Sequence, residues 1–372
     1  MAKNILLIIS SLSAGGAERV MSIITNYWAI EGREVTLLTF TESTIPPFYE
    51  LDPRIQYIPL NLAIFSSNPI MGIWNNLKRI FVLRKIIREN NPDIIISFMD
   101  KTNIIALLST RGLKIPVVVS EHIDIGMYPL GWAWEQLRVY TYAWADQVVL
   151  LNERDRAYFS SKIQKKITVI PNPVLLNNQE KISLIEKTPP KPFLAAMGRL
   201  TDQKGFDILL RGFALLKDTY PQWTFLILGE GPLRAKLESL REELGINSRV
   251  IFLGLVKNPH QLLKKADIFV MSSRFEGFPM ALCEAMAMGL AVISTEYHSG
   301  VREIIDDGIN GLLVPPEDFR ALAAAMGRLM GDEAERKRLG TKASEIQNKF
   351  GVEKIMSLWE KLIDQVTLMR KR

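Results

Sequence analysis

The chain has 372 residues, a formal net charge of +6 and a composition that is 48% hydrophobic and 23% charged, which predicts about two globular domains, each large enough for its own core. Its single cysteine, Cys283, excludes a disulfide framework and a cysteine-rich metal site and fits a reducing compartment. The modest positive charge allows nucleotide diphosphates, lipid diphosphates or an anionic membrane surface as partners. The sequence has no zinc finger, RNA-recognition signature or basic tail, so nucleic acid binding is not expected. It has no apolar run of about 18 residues, so a membrane span is not expected either.

The chain begins with a predicted strand and a glycine-containing loop. Met1–Ser10 is too short for a signal peptide and has the apolar run of a buried strand. Gly15 and Gly16 follow in the loop before a helix predicted from Val20, and such a pair lets the backbone approach a ligand closely. A plain tight turn is the alternative. The pair is not the G-x-G-x-x-G fingerprint, so NAD is not indicated.

A basic amphipathic helix is predicted over Ile70–Asn90, with Pro92 just beyond its end. Apolar residues recur at helical spacing, and five cations fall mostly between them: Lys78, Arg79, Arg84, Lys85 and Arg88. These cations could contact anionic lipid headgroups or a lipid diphosphate. The alternative is a surface helix with a solvated cationic face.

Candidate site residues of the first half follow its predicted strands. The strand Pro116–Ser120 ends next to His122, and open α/β sheets bind ligands at the carboxyl ends of their strands. His122 is therefore a catalytic candidate, with a structural role as the alternative. Tyr128–Trp144 is rich in tryptophan and tyrosine, for which core packing is favoured over interfacial membrane contact.

A second series of strands and helices starts after a proline-rich linker, Lys187–Pro192. Its first strand-to-helix loop carries Arg199 and Lys204, each next to a glycine, in the place where such folds hold phosphate. Solvated surface cations are the alternative for this pair.

The most informative segment is Arg274–Ile293, which is predicted to be a loop, a short helix and a strand. Pro279 is predicted at the first helical position and Gly289 just past the end. A helix N-terminus suits a diphosphate or sugar hydroxyls. Glu276 in the loop and Glu284 inside the helix could bind sugar and ribose hydroxyls, the alternative being a buried helix with two solvated glutamates.

Strands alternate with helices in both halves, which predicts an α/β protein with two doubly wound, parallel-sheet, Rossmann-like domains facing each other across a cleft. The two predicted domains are residues 1–175 and residues 190–351. The last helix, 352–372, is expected to pack back on the first domain.

The motifs together resemble the glycosyltransferases of family 4, which have the GT-B architecture, and the resemblance covers nearly the whole chain. Its carriers are the E-x7-E spacing of Glu276 and Glu284, Gly198-Arg199 with Lys204-Gly205, Gly15-Gly16, and Phe252-Leu253-Gly254. Segments 15–20, 96–103 and 120–122 resemble a subgroup that builds glycans on polyprenyl diphosphate. That subgroup includes N-acetylgalactosaminyltransferases of bacterial N-linked glycan assembly and amylovoran-type exopolysaccharide transferases.

The resemblance implies that the domain at 1–175 binds the acceptor and that the domain at 190–351 binds the nucleotide sugar. It also implies roles for individual residues. Arg199 and Lys204 would bind and neutralise the donor diphosphate, Glu284 would hold the ribose, Glu276 would lie beside the donor sugar, and His122 would lie near the anomeric carbon. Other implied donor contacts are Gly15, Gly16, Gly254, Leu255, Val256, Gly277, Phe278, Pro279, Met280 and Ala281. Asn172-Pro173 departs from the Asn-Gly of many relatives.

The implied reaction is a retaining transfer of a hexose or N-acetylhexosamine, with GalNAc as the best guess, from a UDP-sugar to a polyprenyl-diphosphate-linked glycan at the cytoplasmic membrane face. No cofactor or metal is expected, and the sequence has no D-x-D pair. The alternatives are another donor or acceptor in exopolysaccharide, O-antigen or capsule synthesis, a UDP-sugar 2-epimerase, and a non-catalytic sugar-nucleotide-binding module. The expected location is peripheral, on the inner face of the cell membrane.

Overall fold

The computed structural model describes residues 3–63, 68–176, 189–297 and 300–371. The first residues of the predicted linker Lys187–Pro192 lie outside the described residues, as does His298. The chain divides into two compact units, Met1–Pro173 with Glu353–Arg372 and Val174–Val352. Within the described ranges, no helix has both the length and the apolarity needed to cross a membrane.

The first unit is built on a seven-stranded parallel sheet. Its strands are β1 (Asn4–Ile9), β2 (Glu34–Thr39), β3 (Gln56–Pro59), β4 (Ile94–Phe98), β5 (Val117–Ser120), β6 (Gln147–Leu150) and β7 (Ile167–Val169). The helices between them are α1 (Gly16–Ile30), α2 (Pro69–Asn90), α3 (Asp100–Thr110), α4 (Trp132–Tyr142) and α5 (Ser161–Gln164). The strand order β3-β2-β1-β4-β5-β6-β7 changes direction between β1 and β4, so ligand binding is expected in the crevice after these two strands.

The second unit repeats this architecture with a six-stranded parallel sheet. Its strands are β8 (Phe193–Met197), β9 (Thr224–Leu228), β10 (Val250–Gly254), β11 (Ile268–Met271), β12 (Ala291–Thr295) and β13 (Leu312–Val314). Its helices are α6 (Phe206–Ala214), α7 (Arg234–Glu243), α8 (Pro259–Leu263), α9 (Met280–Ala287), α10 (Phe319–Gly331), α11 (Glu333–Ala343) and α12 (Gln347–Phe350). The order β10-β9-β8-β11-β12-β13 changes direction between β8 and β11. These two sheets confirm the predicted doubly wound α/β fold class.

The last helix, α13 (Val352–Lys371), contributes its residues from Glu353 onward to the first unit. Trp359 on α13 is buried, with its ring centroid 6.3 Å from that of Trp28 and 6.2 Å from that of Phe98. Glu360 accepts a hydrogen bond from the Trp28 indole at 2.7 Å and pairs with Arg33. The helix is therefore anchored by both apolar packing and an ion pair.

Two predicted helix starts are wrong by a few residues. Helix α1 begins at Gly16 rather than Val20, because Gly15 is extended and its carbonyl already accepts from the Arg19 N–H at 3.0 Å. Pro279 precedes α9 as its N-cap and is not its first helical residue, because its ψ of 73° is not helical. Gly289 has a φ of +78°, the left-handed conformation expected just past a helix.

Candidate functional site

The loops after β8 and β11 meet where the strand order of the second sheet changes direction. Lys204 in the first loop lies with its Nζ 2.5 Å from Glu276 Oε1 in the second. Ser273 Oγ donates to the same carboxylate oxygen at 2.7 Å. Glu276 is only 6% exposed. The structure therefore joins two predicted site residues into a largely buried ion pair.

Two hydrogen bonds to backbone carbonyls tie these two loops together. The Arg274 backbone N–H donates to the Gln203 backbone carbonyl at 2.7 Å, and the side-chain amide of Gln203 donates to the Phe275 carbonyl at 3.0 Å. Gly205 has a φ of +60°, and a Cβ there would lie 2.1 Å from the Ser272 carbonyl oxygen. Glycine is required at this contact, because any side chain would collide with the backbone of the neighbouring loop.

Arg274 is a supporting residue that the sequence interpretation missed. Its guanidinium binds both carboxylate oxygens of Asp207, at 3.0 and 2.9 Å, and pairs with Glu317 at 2.6 Å. The hydrogen bond with Asp207 raises the pKa of Arg274, so the side chain stays charged. Only the position of Arg274 beside the E-x7-E segment could have pointed to it. Arg199, the other predicted phosphate cation, lies in the β8 loop with an exposed side chain.

Glu284 lies within α9 and is 1% exposed. His260 on α8 is also buried and places Nε2 3.5 Å from Glu284 Oε2. Because Glu276 is buried too, the alternative of two solvated glutamates is wrong. The sequence interpretation did not assign a role to His260, which follows the loop after β10.

The remaining predicted donor contacts of the second unit lie at the end of β10 and in the segment that leads into α9. Gly254 ends β10 with a φ of +85°, Leu255 is exposed and Val256 is half-buried. The segment containing Gly277, Phe278, Pro279, Met280 and Ala281 leads into α9. The Met280 N–H, predicted to hold sugar or phosphate, instead donates to the Phe278 carbonyl at 3.0 Å. Pro279, with a ψ of 73°, is the residue between the two partners of this hydrogen bond.

The first unit places a carboxylate at the predicted phosphate approach. Ser11 and Ser13 hydroxyls donate to Glu18 Oε1 at 3.3 and 3.4 Å, and a Cβ on Gly15 would lie 2.2 Å from Glu18 Oε2. A side chain at position 15 would displace the carboxylate of Glu18, which is a small shift for the end of a flexible side chain. A negative charge here opposes a second anion, so a phosphate at Gly15 and Gly16 requires Glu18 to move.

His122 lies just beyond the carboxyl end of β5, close to the crevice of the first sheet. Its ring stacks on Phe98 with centroids 4.0 Å apart, and its Nε2 is 3.0 Å from Ser120 Oγ. Burial lowers the pKa of His122 to about 3. The imidazole is therefore neutral at physiological pH and can both donate and accept a hydrogen bond.

The five cations predicted on α2 do not act alike. Arg79 donates to the Leu62 carbonyl at 3.0 and 2.9 Å, and Arg84 donates to the Ser109 and Arg111 carbonyls at 2.7 and 2.8 Å. These two cations hold neighbouring segments and do not form a solvated row. The other three are exposed: Lys78, Lys85 and Arg88.

Two family models and several relatives match this chain. The model described as Glycosyltransferase Family 4 matches residues 14–177, and the model described as Glycosyl transferases group 1 matches residues 178–346. The chain is 32% identical, over 96% of its length and 98% of the relative, to the GalNAc-alpha-(1->4)-GalNAc-alpha-(1->3)-diNAcBac-PP-undecaprenol alpha-1,4-N-acetyl-D-galactosaminyltransferase of Campylobacter jejuni. It is 25% identical, over 98% of its length and 100% of the relative, to the amylovoran biosynthesis glycosyltransferase AmsD of Erwinia amylovora.

A solved structure shows the same fold. The crystal structure of HepE from Anabaena in complex with UDP has a TM-score of 0.76 and 19% identity, with 97% of this chain and 100% of that chain covered. Together with the two parallel sheets, this similarity identifies the architecture as GT-B. The chain belongs to the family 4 glycosyltransferases and is a glycosyltransferase of the GT-B fold.

Proposed function

We propose that this enzyme transfers a hexose or N-acetylhexosamine, with GalNAc as the first candidate, from a UDP-sugar to a polyprenyl-diphosphate-linked glycan. The transfer retains the anomeric configuration and needs no metal. The observation that carries the proposal is the Lys204–Glu276 ion pair where the second sheet changes direction. The donor and acceptor classes are supported by the Campylobacter relative's name and by the UDP in the structural neighbour.

The charges at this point match those that develop during glycosyl transfer. Breaking the bond to the sugar leaves negative charge on UDP and positive charge on the anomeric carbon. Lys204 and Arg199 would stabilise the diphosphate, and each charge-assisted hydrogen bond contributes about 1.5–3 kcal/mol. Glu276 would face the sugar, while Lys204 holds its carboxylate in place. Buried Glu284 would accept hydrogen bonds from the ribose hydroxyls.

We assign acceptor binding to the first unit and its contact with an anionic membrane surface to α2. Six large apolar side chains between positions 70 and 81 of α2 are exposed: Ile70, Met71, Ile73, Trp74, Leu77 and Phe81. Lys78, Lys85 and Arg88 add exposed positive charge along the same helix. Since α2 follows β3, its beginning lies toward the carboxyl ends of the strands, the edge that carries His122. This placement would bring a lipid-linked acceptor from the cytoplasmic membrane face to the site.

The test measures UDP release from a panel of UDP-sugars, with and without a polyprenyl-diphosphate glycan and with EDTA present. We expect acceptor-dependent release from one UDP-sugar, unaffected by EDTA, and a product with the donor's anomeric configuration by NMR. Release abolished by EDTA would contradict the metal-independent mechanism. An inverted product would contradict retention.

The main alternative within this reaction class is another donor or acceptor in exopolysaccharide synthesis, which the similarity to AmsD favours. The same assay distinguishes it, because turnover would then require a different sugar or lipid. A non-catalytic binding role predicts that Glu276→Ala and Arg199→Ala leave biological function unchanged. Loss of turnover in folded variants would exclude that role.

A further inference from the structure

A buried polar cluster lies beside His122 at the end of β5. Glu121, Tyr142 and Asn103 are at most 1% exposed. Asn103 Nδ2 donates to Tyr142 Oη and to the Ser120 carbonyl, both at 3.0 Å, and Tyr142 Oη donates to Glu121 Oε1. The direction of this chain follows from the chemistry, because the amide nitrogen can only donate and the phenol has one proton to pass on. The cluster joins α3, α4 and the exit of β5.

The same cluster reaches His122 through Ser120. The Ser120 carbonyl accepts from the Asn103 side chain at 3.0 Å and from the Met99 N–H at 3.1 Å, while Ser120 Oγ lies 3.0 Å from His122 Nε2. Met99 has a φ of +77°, which is unusual for a side chain of this kind and marks a backbone constrained by its surroundings. The backbone at 120–122 is thus held from both sides.

We propose that Glu121 is a positioning residue for His122, acting with Tyr142 and Asn103. Glu121 enters the cluster, whereas the next residue, His122, stacks on Phe98. Fixing Glu121 therefore limits the ways in which the adjoining peptide and imidazole can turn. The catalytic consequence of this arrangement depends on the proposed function, but the positioning itself does not.

The charge of Glu121 depends on pH, which gives the proposal a second measurable consequence. The pKa of Glu121 is raised to about 7, chiefly because the carboxyl group is buried. The negative charges of Asp100 and Asp155 also raise this pKa, whereas the hydrogen bond from Tyr142 and the positive charge of Arg138 lower it. Glu121 is therefore protonated below about pH 7 and buried as an anion above it. This change of charge takes place in the residue next to His122, so we expect the ring nitrogen signals of His122 to shift near pH 7.

The test observes the imidazole directly, by NMR of protein labelled at its three histidines. His122→Asn identifies the His122 signals by their loss. We expect Glu121→Gln and Tyr142→Phe to shift the ring nitrogen signals of His122. Glu121→Gln should also remove their change near pH 7, whereas Tyr142→Phe should move it to higher pH, because the hydrogen bond from Tyr142 lowers the pKa of Glu121. Tyr57→Phe is the matched control, because it removes a phenol that lies 3.0 Å from Thr39 Oγ1 on β2, away from β5 in the same sheet.

Unchanged His122 signals in either folded variant would overturn the proposal, and thermal melting establishes that each variant is folded. Turnover gives a second readout. We expect kcat to fall by about 10²-fold in Tyr142→Phe, the scale of misplacing a reacting group by about 1 Å, with the KM for the UDP-sugar unchanged. If His122→Ala keeps full turnover, the catalytic role of His122 fails, while the NMR result still decides the positioning.

Discussion

Lys204 is the residue at which the phosphate-type loop and the E-x7-E segment touch. Its side chain is 23% exposed and that of Glu276 is 7% exposed, so the pair is shielded from water more than a surface ion pair is. Removing one partner of such a pair is costly because the remaining charge stays in a poorly solvated place. The pair therefore links donor binding and local stability through one contact.

Substituting Lys204→Met should lower kcat/KM for the UDP-sugar by about 10²–10³-fold, because the leaving diphosphate loses a fixed positive charge. Steady-state UDP release measures the effect. Lys217→Met is the control, since Lys217 lies beyond the end of α6, next to the Leu244 carbonyl at 3.4 Å, and should keep normal rates. A folded Lys204→Met enzyme with wild-type kcat/KM would refute the assignment.

Glu121 and His122 should make opposite contributions to the dependence of stability on pH. The pKa of Glu121 rises from 4.5 to about 7 on folding, so its contribution is full below pH 4.5 and is lost as pH rises through 7. The pKa of His122 falls from 6.5 to about 3, so its contribution is lost as pH falls below 6.5. Between pH 4.5 and pH 6.5, the two effects on the free energy of unfolding have opposite signs and partly cancel.

Glu121→Gln removes the first slope and leaves the second. Urea unfolding at several pH values from about 4.5 to about 8 should therefore show the variant gaining stability relative to the wild type as pH rises, by at most about 1.4 kcal/mol per pH unit. A difference in the free energy of unfolding that does not change with pH would contradict the raised pKa.

At the scale of secondary structure, α2 combines two environments along its 22 residues. Leu83 and Ile87 in its second half are fully buried. Trp74 in its first half is 69% exposed, although it follows the same apolar periodicity. Apolar periodicity identifies one face of a helix but does not show whether that face is buried. The solvent exposure of the first part of this face could therefore not be predicted from the sequence.

The exposed part of α2 gives a prediction about membranes. Replacing Lys78, Lys85 and Arg88 by glutamine should weaken binding to anionic vesicles by about 10²-fold, since each cation contributes about 1 kcal/mol near such a surface. Trp74→Ser should weaken binding that persists at high salt. Vesicle flotation measures both effects.

Ile30→Ser is the control for Trp74→Ser, because Ile30 is a similarly exposed apolar residue on α1. Vesicle binding that is equal in all these variants would show that α2 does not contact the membrane. In that case α2 would be a surface helix with a solvated cationic face.

At the scale of the whole molecule, the last helix belongs to the unit in which the chain begins. Trp359 is 2% exposed, and its ring lies near Trp28 and Phe98. Trp359→Ala should therefore lower the free energy of unfolding by about 3–5 kcal/mol. Trp132→Ala, at a tryptophan that is 79% exposed, should change it by less than about 0.5 kcal/mol. Equal effects in chemical denaturation would contradict the packing.

Much of the fold was predictable because local patterns carry it. Ile94–Phe98 is apolar except for Ser97, and all five residues are buried in β4, as expected for a strand covered on both faces. Helix ends were less predictable, because the start of α1 depends on one backbone hydrogen bond and that of α9 on the ψ of Pro279. Such details depend on neighbours that propensity does not include.

The sequence by itself determined the fold class, the family and the residue types of the site, since apolar periodicity, glycine placement and the spacing of Glu276 and Glu284 are local properties. Only the tertiary structure decided which of these residues meet. Lys204 and Glu276 are 72 positions apart, and the strand order brings their loops together. The contacts that Arg274 and His260 make with carboxylates of the site likewise arise from packing between elements. Contacts between distant positions depend on the topology of the fold and leave no periodic signal in the sequence.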